Sequence, residues 1–232
     1  MVSRKVRGSW YSRITVTNVL NSTKALYTLE GHPRKVSKVQ FHPSGEFLVS
    51  SSFDHTWRLW DIDRNENILL QEGHAHPVTT VAFHPDGSLL VSAGTDGIAR
   101  VWDLRSGRSI MTMRGHVKAI LATAFSPNGH HIATGSDDHA IRIWDLRRRK
   151  CFHTIPAHSK LISSLKYQSN DGNFLVSSSF DKTCKIWDAA DFTPLRTLAG
   201  HEDKVMSLDI SQDHSRIVTS GYDRTWKLWG NE

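Results

Sequence analysis

Short runs in which apolar and β-branched residues alternate with polar ones follow each other along the chain, as in VSKVQF, EFLVSSS, HTWRLW and ILLQ within residues 36–71. Alternation at a period of two marks a strand with one buried face, and no segment keeps a helical period long enough to predict a helix. Turn residues separate the runs: HPSG at 42–45, HPDG at 84–87 and SPNG at 126–129. Their closing glycine tolerates the positive φ that a tight hairpin needs. The pattern predicts an all-β chain of four-stranded meanders.

The meander repeats. Gly-His stands at Gly31-His32, Gly73-His74, Gly115-His116 and Gly200-His201, with Ala157-His158 in the remaining slot, at intervals of 42, 42, 42 and 43 residues. A tryptophan follows each histidine after 28 or 29 positions (Trp60, Trp102, Trp144, Trp187, Trp229), and Asp61, Asp103, Asp145 and Asp188 follow the first four. Six positions before each tryptophan stands an aspartate (Asp54, Asp96, Asp138, Asp181, Asp223), and four before that a hydroxyl (Ser50, Ser92, Thr134, Ser177, Thr219). A basic residue also precedes each tryptophan by two: Arg58, Arg100, Arg142, Lys185 and Lys227. Residues two apart share a strand face, so these side chains can lie along the indole ring.

A period near 42 with Gly-His at one end and Trp-Asp at the other resembles the WD40 repeat, in which each unit supplies one blade of a β-propeller. The resemblance covers residues 25–229 and implies five recognisable four-stranded blades, where members of the family have seven. It divides the chain into a leader at 1–24 (poorly structured, or a remnant blade), a propeller at 25–229 and a tail at 230–232. The segment ALYTLE at 25–30 matches a fourth strand, ITVTN makes a poor third strand, and the last unit stops after Trp229. Strand 25–29 is therefore expected to join the last blade and close the ring, which removes two exposed edges; an open arc is the competing arrangement.

The same resemblance implies that each His, Ser/Thr, Asp and Trp set is a hydrogen-bonded tetrad. Serine, histidine and aspartate are also the residues of a hydrolytic triad, but five copies, each with a tryptophan partner, point to scaffold. His139, beside Asp138, is expected to be an exposed turn residue. Neither the His74/His76 pair nor His130-His131 has a carboxylate or thiolate completing a metal set, and no Gly-rich phosphate loop opens a helix. No cofactor is expected. Specificity should then reside where the units differ at their exposed rim. The positions before the aspartates hold Phe53, Thr95, Asp137, Phe180 and Tyr222. Those three after the histidines hold Lys35, Pro77, Ala119, Leu161 and Lys204, and those five after hold Ser37, Thr79, Leu121, Ser163 and Met206. Phe53, Leu121, Leu161, Phe180, Met206 and Tyr222, rimmed by Lys35, Asp137 and Lys204, form a candidate protein-docking arc.

Composition changes this picture little. The chain has 232 residues, 38% hydrophobic and 22% charged, long enough for a real core. No apolar run approaches the roughly 20 residues needed to cross a bilayer, so no membrane partner is expected. Cys151 and Cys184 have no paired spacing, which fits a reducing compartment. The net charge of +6 favours acidic partners or nucleic acid; its densest run is Arg147-Arg148-Arg149-Lys150, with Arg4, Lys5, Arg7 and Arg13 looser.

Several stretches fill positions the scaffold leaves free: FHPSGEFL, RVWDLRSGRSIM, FSPNGHHIATGS, TIPAH, TLAGHEDKVMSLDIS and YDRTWKLW. They resemble the propeller of the WD40 subunits of the U4/U6 small nuclear ribonucleoprotein. That resemblance implies a nuclear, non-enzymatic scaffold in pre-mRNA splicing that helps assemble U4/U6 within the tri-snRNP, together with splicing-factor proteins including a cyclophilin. RNA contact is expected to be indirect, since the aromatic interleaving of a single-strand binder is not evident beside Arg147 to Lys150. The rival reading is a substrate receptor of a cullin-type ubiquitin ligase, because Trp102-Asp103-Leu104-Arg105 and Trp144-Asp145-Leu146-Arg147 have the adaptor-binding form.

Overall fold

The structure, a computed structural model, describes residues 4–8, 13–18 and 25–230, all strands and connections. Parts of the leader expected at 1–24 (residues 1–3, 9–12 and 19–24) and of the tail (231–232) lie outside the described residues. Six antiparallel sheets follow in chain order. The first has three strands, β1 (Arg4–Gly8), β2 (Arg13–Asn18) and β3 (Ala25–Glu30). Four complete blades follow: β4 (Val36–Phe41), β5 (Phe47–Ser52), β6 (Trp57–Asp61) and β7 (Glu66–Gln71); β8 (Val78–Phe83), β9 (Leu89–Gly94), β10 (Ile98–Asp103) and β11 (Arg108–Arg114); β12 (Ile120–Phe125), β13 (His131–Ser136), β14 (Ala140–Asp145) and β15 (Lys150–Pro156); β16 (Ile162–Tyr167), β17 (Phe174–Ser179), β18 (Thr183–Asp188) and β19 (Pro194–Ala199). The fifth blade has β20 (Val205–Ile210), β21 (Arg216–Gly221) and β22 (Trp226–Gly230).

Burial explains the period. The second strands of the four complete blades are buried on both faces, as in FLVSSS and HIATGS, while the fourth strands are mostly exposed. The core is accordingly a series of seams between successive sheets. Val49, Trp57 and Leu59 of the first blade meet Val78, Val81, Phe83 and Trp102 of the second, with the rings of Trp57 and Trp102 edge-to-face at 5.5 Å. Ile141, Ile143 and Ile155 of the third meet Ile162, Leu165 and Trp187 of the fourth. The inner strands β4, β8, β12, β16 and β20 pack in that order, and polar and apolar residues from them together line a central cavity of about 570 Å³. There Lys166 of β16 is paired with Asp209 of β20.

The expected closure does not form. β3 is hydrogen-bonded to β2, with Ile14 opposite Leu29 and Val16 opposite Tyr27, and β22 is paired with β21 alone. The local pairing wins because it buries Ile14, Val16 and Leu29 against Val36, Leu48 and Trp60 of the first blade. It also closes a loop far shorter than one to the last blade, with a smaller entropic cost. β1 packs on β4 as β5 packs on β8 and β9 on β12, so the first sheet supplies the second, third and fourth strands of a blade. The sheets form an open series.

Candidate functional site

At one end of each of the five blades, the loop carrying the histidine and the turn carrying the aspartate are drawn over the tryptophan. His Nδ1 lies 2.6 Å from the Asp carboxylate in His32–Asp54, 2.9 Å in His74–Asp96, 2.7 Å in His116–Asp138, and 2.8 Å in His158–Asp181 and His201–Asp223. His Nε2 lies 2.7 to 2.8 Å from the oxygen of Ser50, Ser92, Thr134, Ser177 or Thr219. The same oxygens are 2.7 to 2.9 Å from the indole nitrogens of Trp60, Trp102, Trp144, Trp187 and Trp229.

The proton positions follow from the donors available. An indole N–H can only donate, so the hydroxyl oxygen accepts it and sends its own hydrogen to His Nε2. Nδ1–H then donates to the carboxylate. Burial raises the Asp54 carboxyl, but hydrogen bonds from His32 and Thr56 outweigh it and hold the group down at about 2. Asp96, Asp138, Asp181 and Asp223 are lowered against the same burial penalty by their own histidines. Burial lowers the His116 imidazole more than Asp138 raises it, so that ring is neutral. The arrangement has the polarity of a hydrolytic relay, yet its hydroxyl residues are 0 to 1% exposed. No substrate carbonyl can approach them in this packing, and what the relay does is tie loop to sheet.

The basic residues two before each tryptophan do not share one role. Arg58 lies over Trp60 at 5.9 Å and Lys185 over Trp187 at 5.7 Å. Arg100 instead donates to Thr112, and Arg142 approaches Cys151. His139 is half-buried rather than exposed; it occupies a turn with φ of 72° and its carbonyl accepts from the amides of Ala157 and His158.

The rim positions are brought together in pairs. The amides of Phe53, Thr95, Asp137, Phe180 and Tyr222 donate to the carbonyls of Lys35, Pro77, Ala119, Leu161 and Lys204 at 2.8 to 3.0 Å. Lys35 Nζ is 5.6 Å from the Phe53 ring centroid, and Lys204 Nζ is 5.1 Å from Phe180 and 5.8 Å from Tyr222. Met206 and Tyr222 are exposed, Leu121, Leu161 and Phe180 half-buried. Asp137 lies 3.8 Å from Lys118. The arc is thus two cation-capped aromatic clusters, one on the first blade and one bridging the fourth and fifth, with an ion pair between them.

Two sets of residues have roles that reading the sequence missed. Ser37 and Ser163 donate to the carbonyls of Val78 and Val205 at 2.6 and 2.7 Å, and Thr79 donates to that of Ile120, each bond reaching the next blade's inner strand. These positions, expected at the rim, clasp neighbouring blades. At the opposite end, His42 Nε2 lies 3.1 Å from the carbonyl oxygen of Gly87 and His84 Nε2 3.2 Å from that of Gly129. The Phe-His-Pro stretch of the first two units was the available signal. Among the described residues no group of three or more His, Cys, Asp or Glu side chains is arranged to hold a metal ion.

Residues 8–229 match the family model described as the IFT122 first β-propeller. The chain is 57% identical over 216 residues, 92% of its length, to the U4/U6 small nuclear ribonucleoprotein PRP4 of Saccharomyces cerevisiae, spanning 46% of that protein. It is 52% identical over 62 residues (27% of this chain, 11% of the relative) to a U4/U6 small nuclear ribonucleoprotein PRP4-like protein of Arabidopsis thaliana. Over 58 residues (25% of this chain, 11% of the relative) it is 51% identical to the U4/U6 small nuclear ribonucleoprotein Prp4 of Mus musculus. The chain thus spans less than half the length of these relatives.

Proposed function

Because this chain belongs to the WD40-type β-propeller family, we propose that it is a non-enzymatic docking scaffold of the U4/U6 small nuclear ribonucleoprotein, acting in pre-mRNA splicing. The observation that carries this reading is the 57% identity sustained over 92% of the chain to a relative named for that particle. The proposed work is to hold splicing-factor proteins, a cyclophilin among them, during tri-snRNP assembly in the nucleus.

The docking face is the arc of Phe53, Phe180, Met206 and Tyr222. Exposed aromatic and Met side chains with a charged rim have the composition of a hot-spot surface. Lysines parked over the rings at 5.1 to 5.8 Å keep them solvated until a partner displaces or shares the cation. Tagged protein should recover U4 and U6 RNA and splicing factors from nuclear extract, and Phe180→Ala with Tyr222→Ala should abolish recovery while the fold, followed by circular dichroism, is kept. Unchanged recovery removes the arc from the reading. Co-purification with a cullin-ligase adaptor in place of U4/U6 components overturns the reading itself.

A further inference from the structure

The third blade differs from the other complete blades at the bulge of its outer strand. In all four, the ladder between third and fourth strands slips just before the tetrad tryptophan, leaving Ile68, Ile110, Phe152 and Leu195 without a partner. A bulge re-aims the extra side chain, and these four are 43%, 39%, 48% and 57% exposed. In the third blade alone that side chain is an aromatic ring.

One residue, Cys151, separates it from the run Arg147-Arg148-Arg149-Lys150, which makes the turn from β14 and the first residue of β15. The corresponding turns hold Arg64 beside Asp63, Arg105 with Arg108, and Asp191. Asp145 engages Arg148 at 3.7 Å, and the Arg147 guanidinium is 2.8 Å from His130 Nε2. The exposed side chains of Arg149 and Lys150 have no hydrogen-bond or ion-pair partner among the described residues. Arg149 adopts a φ of 54°, which places it at the tip of the turn.

The ring is backed as a platform. Its centroid lies 5.7 Å from that of His131 and 6.2 Å from that of the buried Phe192, on which His153 stacks at 5.6 Å and 20°. Burial lowers the His131 imidazole, which stays neutral near pH 7. The antiparallel connectivity sets this patch at the end of the blade opposite the tetrad loops, away from the docking arc.

We propose that this patch binds single-stranded nucleic acid, Arg147 to Lys150 holding successive phosphates and the Phe152 ring taking an unstacked base. One exposed ring among four cations offers too little apolar surface for a protein interface, but it is the combination that tracks a single strand: a cationic path beside a stacking face. Single-strand binding also requires phosphate contacts to be lost with salt, at a slope of about −0.7 per contact.

The test uses the full chain and a fluorescent oligouridine of about ten nucleotides, followed by anisotropy across a salt series. Arg149→Ala with Lys150→Ala should weaken binding at least about tenfold and make the salt slope shallower by about 1.4. Phe152→Leu, which keeps apolar packing on His131 and Phe192 but has no π face, should weaken binding about five- to tenfold and leave the slope unchanged. An equivalent oligodeoxythymidine distinguishes RNA from DNA as the preferred strand, either of which supports the site. The proposal is overturned if Phe152→Leu has no effect, if a duplex of the same length binds as tightly, or if only vesicles containing phosphatidylserine are bound.

Discussion

His116 Nε2 lies 2.8 Å from the hydroxyl oxygen of Thr134, which also receives the Trp144 indole N–H at 2.8 Å, with the hydroxyl itself closed to solvent. Thr134→Val keeps the shape but strands an imidazole nitrogen and an indole N–H. Each such orphan costs about 1 to 3 kcal/mol, so the loss should be about 2 to 5 kcal/mol, against under about 1 kcal/mol for Thr134→Ser. Urea denaturation of the two variants measures the difference, and equal midpoints would show that the hydroxyl carries no bonding role.

Acidification should destabilise the protein in two steps. His116 is lowered from 6.5 in the folded state, so the unfolded chain binds more protons below that pH and stability falls as pH drops through it. The depressed aspartates add a second limb. Asp54 contributes fully above 3.8, and its contribution is lost as pH falls towards about 2. The urea midpoint plotted against pH should show both limbs, and Asp54→Asn should flatten the lower one while reducing stability at neutral pH.

The histidines at the far end hold blades together at their hairpins. His42 bonds the Gly87 carbonyl and meets Phe83 edge-to-face at 5.1 Å; His84 repeats this with Gly129 and Phe125 at 5.2 Å. A Cβ at Gly87 or Gly129 would collide with the histidine ring, and both glycines have positive φ, 79° and 72°. His42→Ala or His84→Ala should cost about 1 to 2 kcal/mol, the sum of one net hydrogen bond and one ring contact. Thermal melts of each variant and the pair test this; the two losses should add, being in different seams.

One residue in every blade is held in the left-handed region directly after the tetrad aspartate: His55, Gly97, His139, Lys182 and Arg224, with φ between 62° and 75°. A side chain there costs about 1 to 2 kcal/mol relative to glycine in conformational strain, partly offset by the entropy glycine loses. His139→Gly should therefore stabilise by a few tenths to about 1 kcal/mol, and Gly97→Ala should destabilise by about 1 kcal/mol or more. Its added Cβ would come within 3.0 Å of the His116 carbonyl oxygen. Chemical denaturation read at matched protein concentration decides the signs.

The blades and tetrads were legible because their spacing is internal to each unit: the count from His32 to Trp60 is the count from His201 to Trp229. Strand-edge choice has no such signature. LYTL fits a fourth strand of either end sheet, and what decided between them was the apolar contact of Ile14 and Val16, visible only once the sheet is built. The hairpin latches were hidden because two units of five carry the histidine, the third having Ser126 in its place. The exposure of Phe152 is not legible in the sequence for a geometric reason: alternation assigns every second residue of KCFHTIP to one face, and a one-residue slip opposite Trp144 breaks that rule.

The clasps and latches described above are unevenly distributed. First to second blade has both, Ser37 to Val78 and His42 to Gly87, and second to third has Thr79 to Ile120 and His84 to Gly129. From third to fourth, Leu121 stands where the hydroxyl would be, and Ser126 in the histidine's place bonds within its own turn to Asn128. That seam rests chiefly on the broad apolar contact of Ile141, Ile143 and Ile155 with Ile162, Leu165 and Trp187. Apolar contact resists separation but sets no direction. Under lateral load the first three blades would move as one rigid plate, and shear would concentrate on the seam between the third and fourth blades.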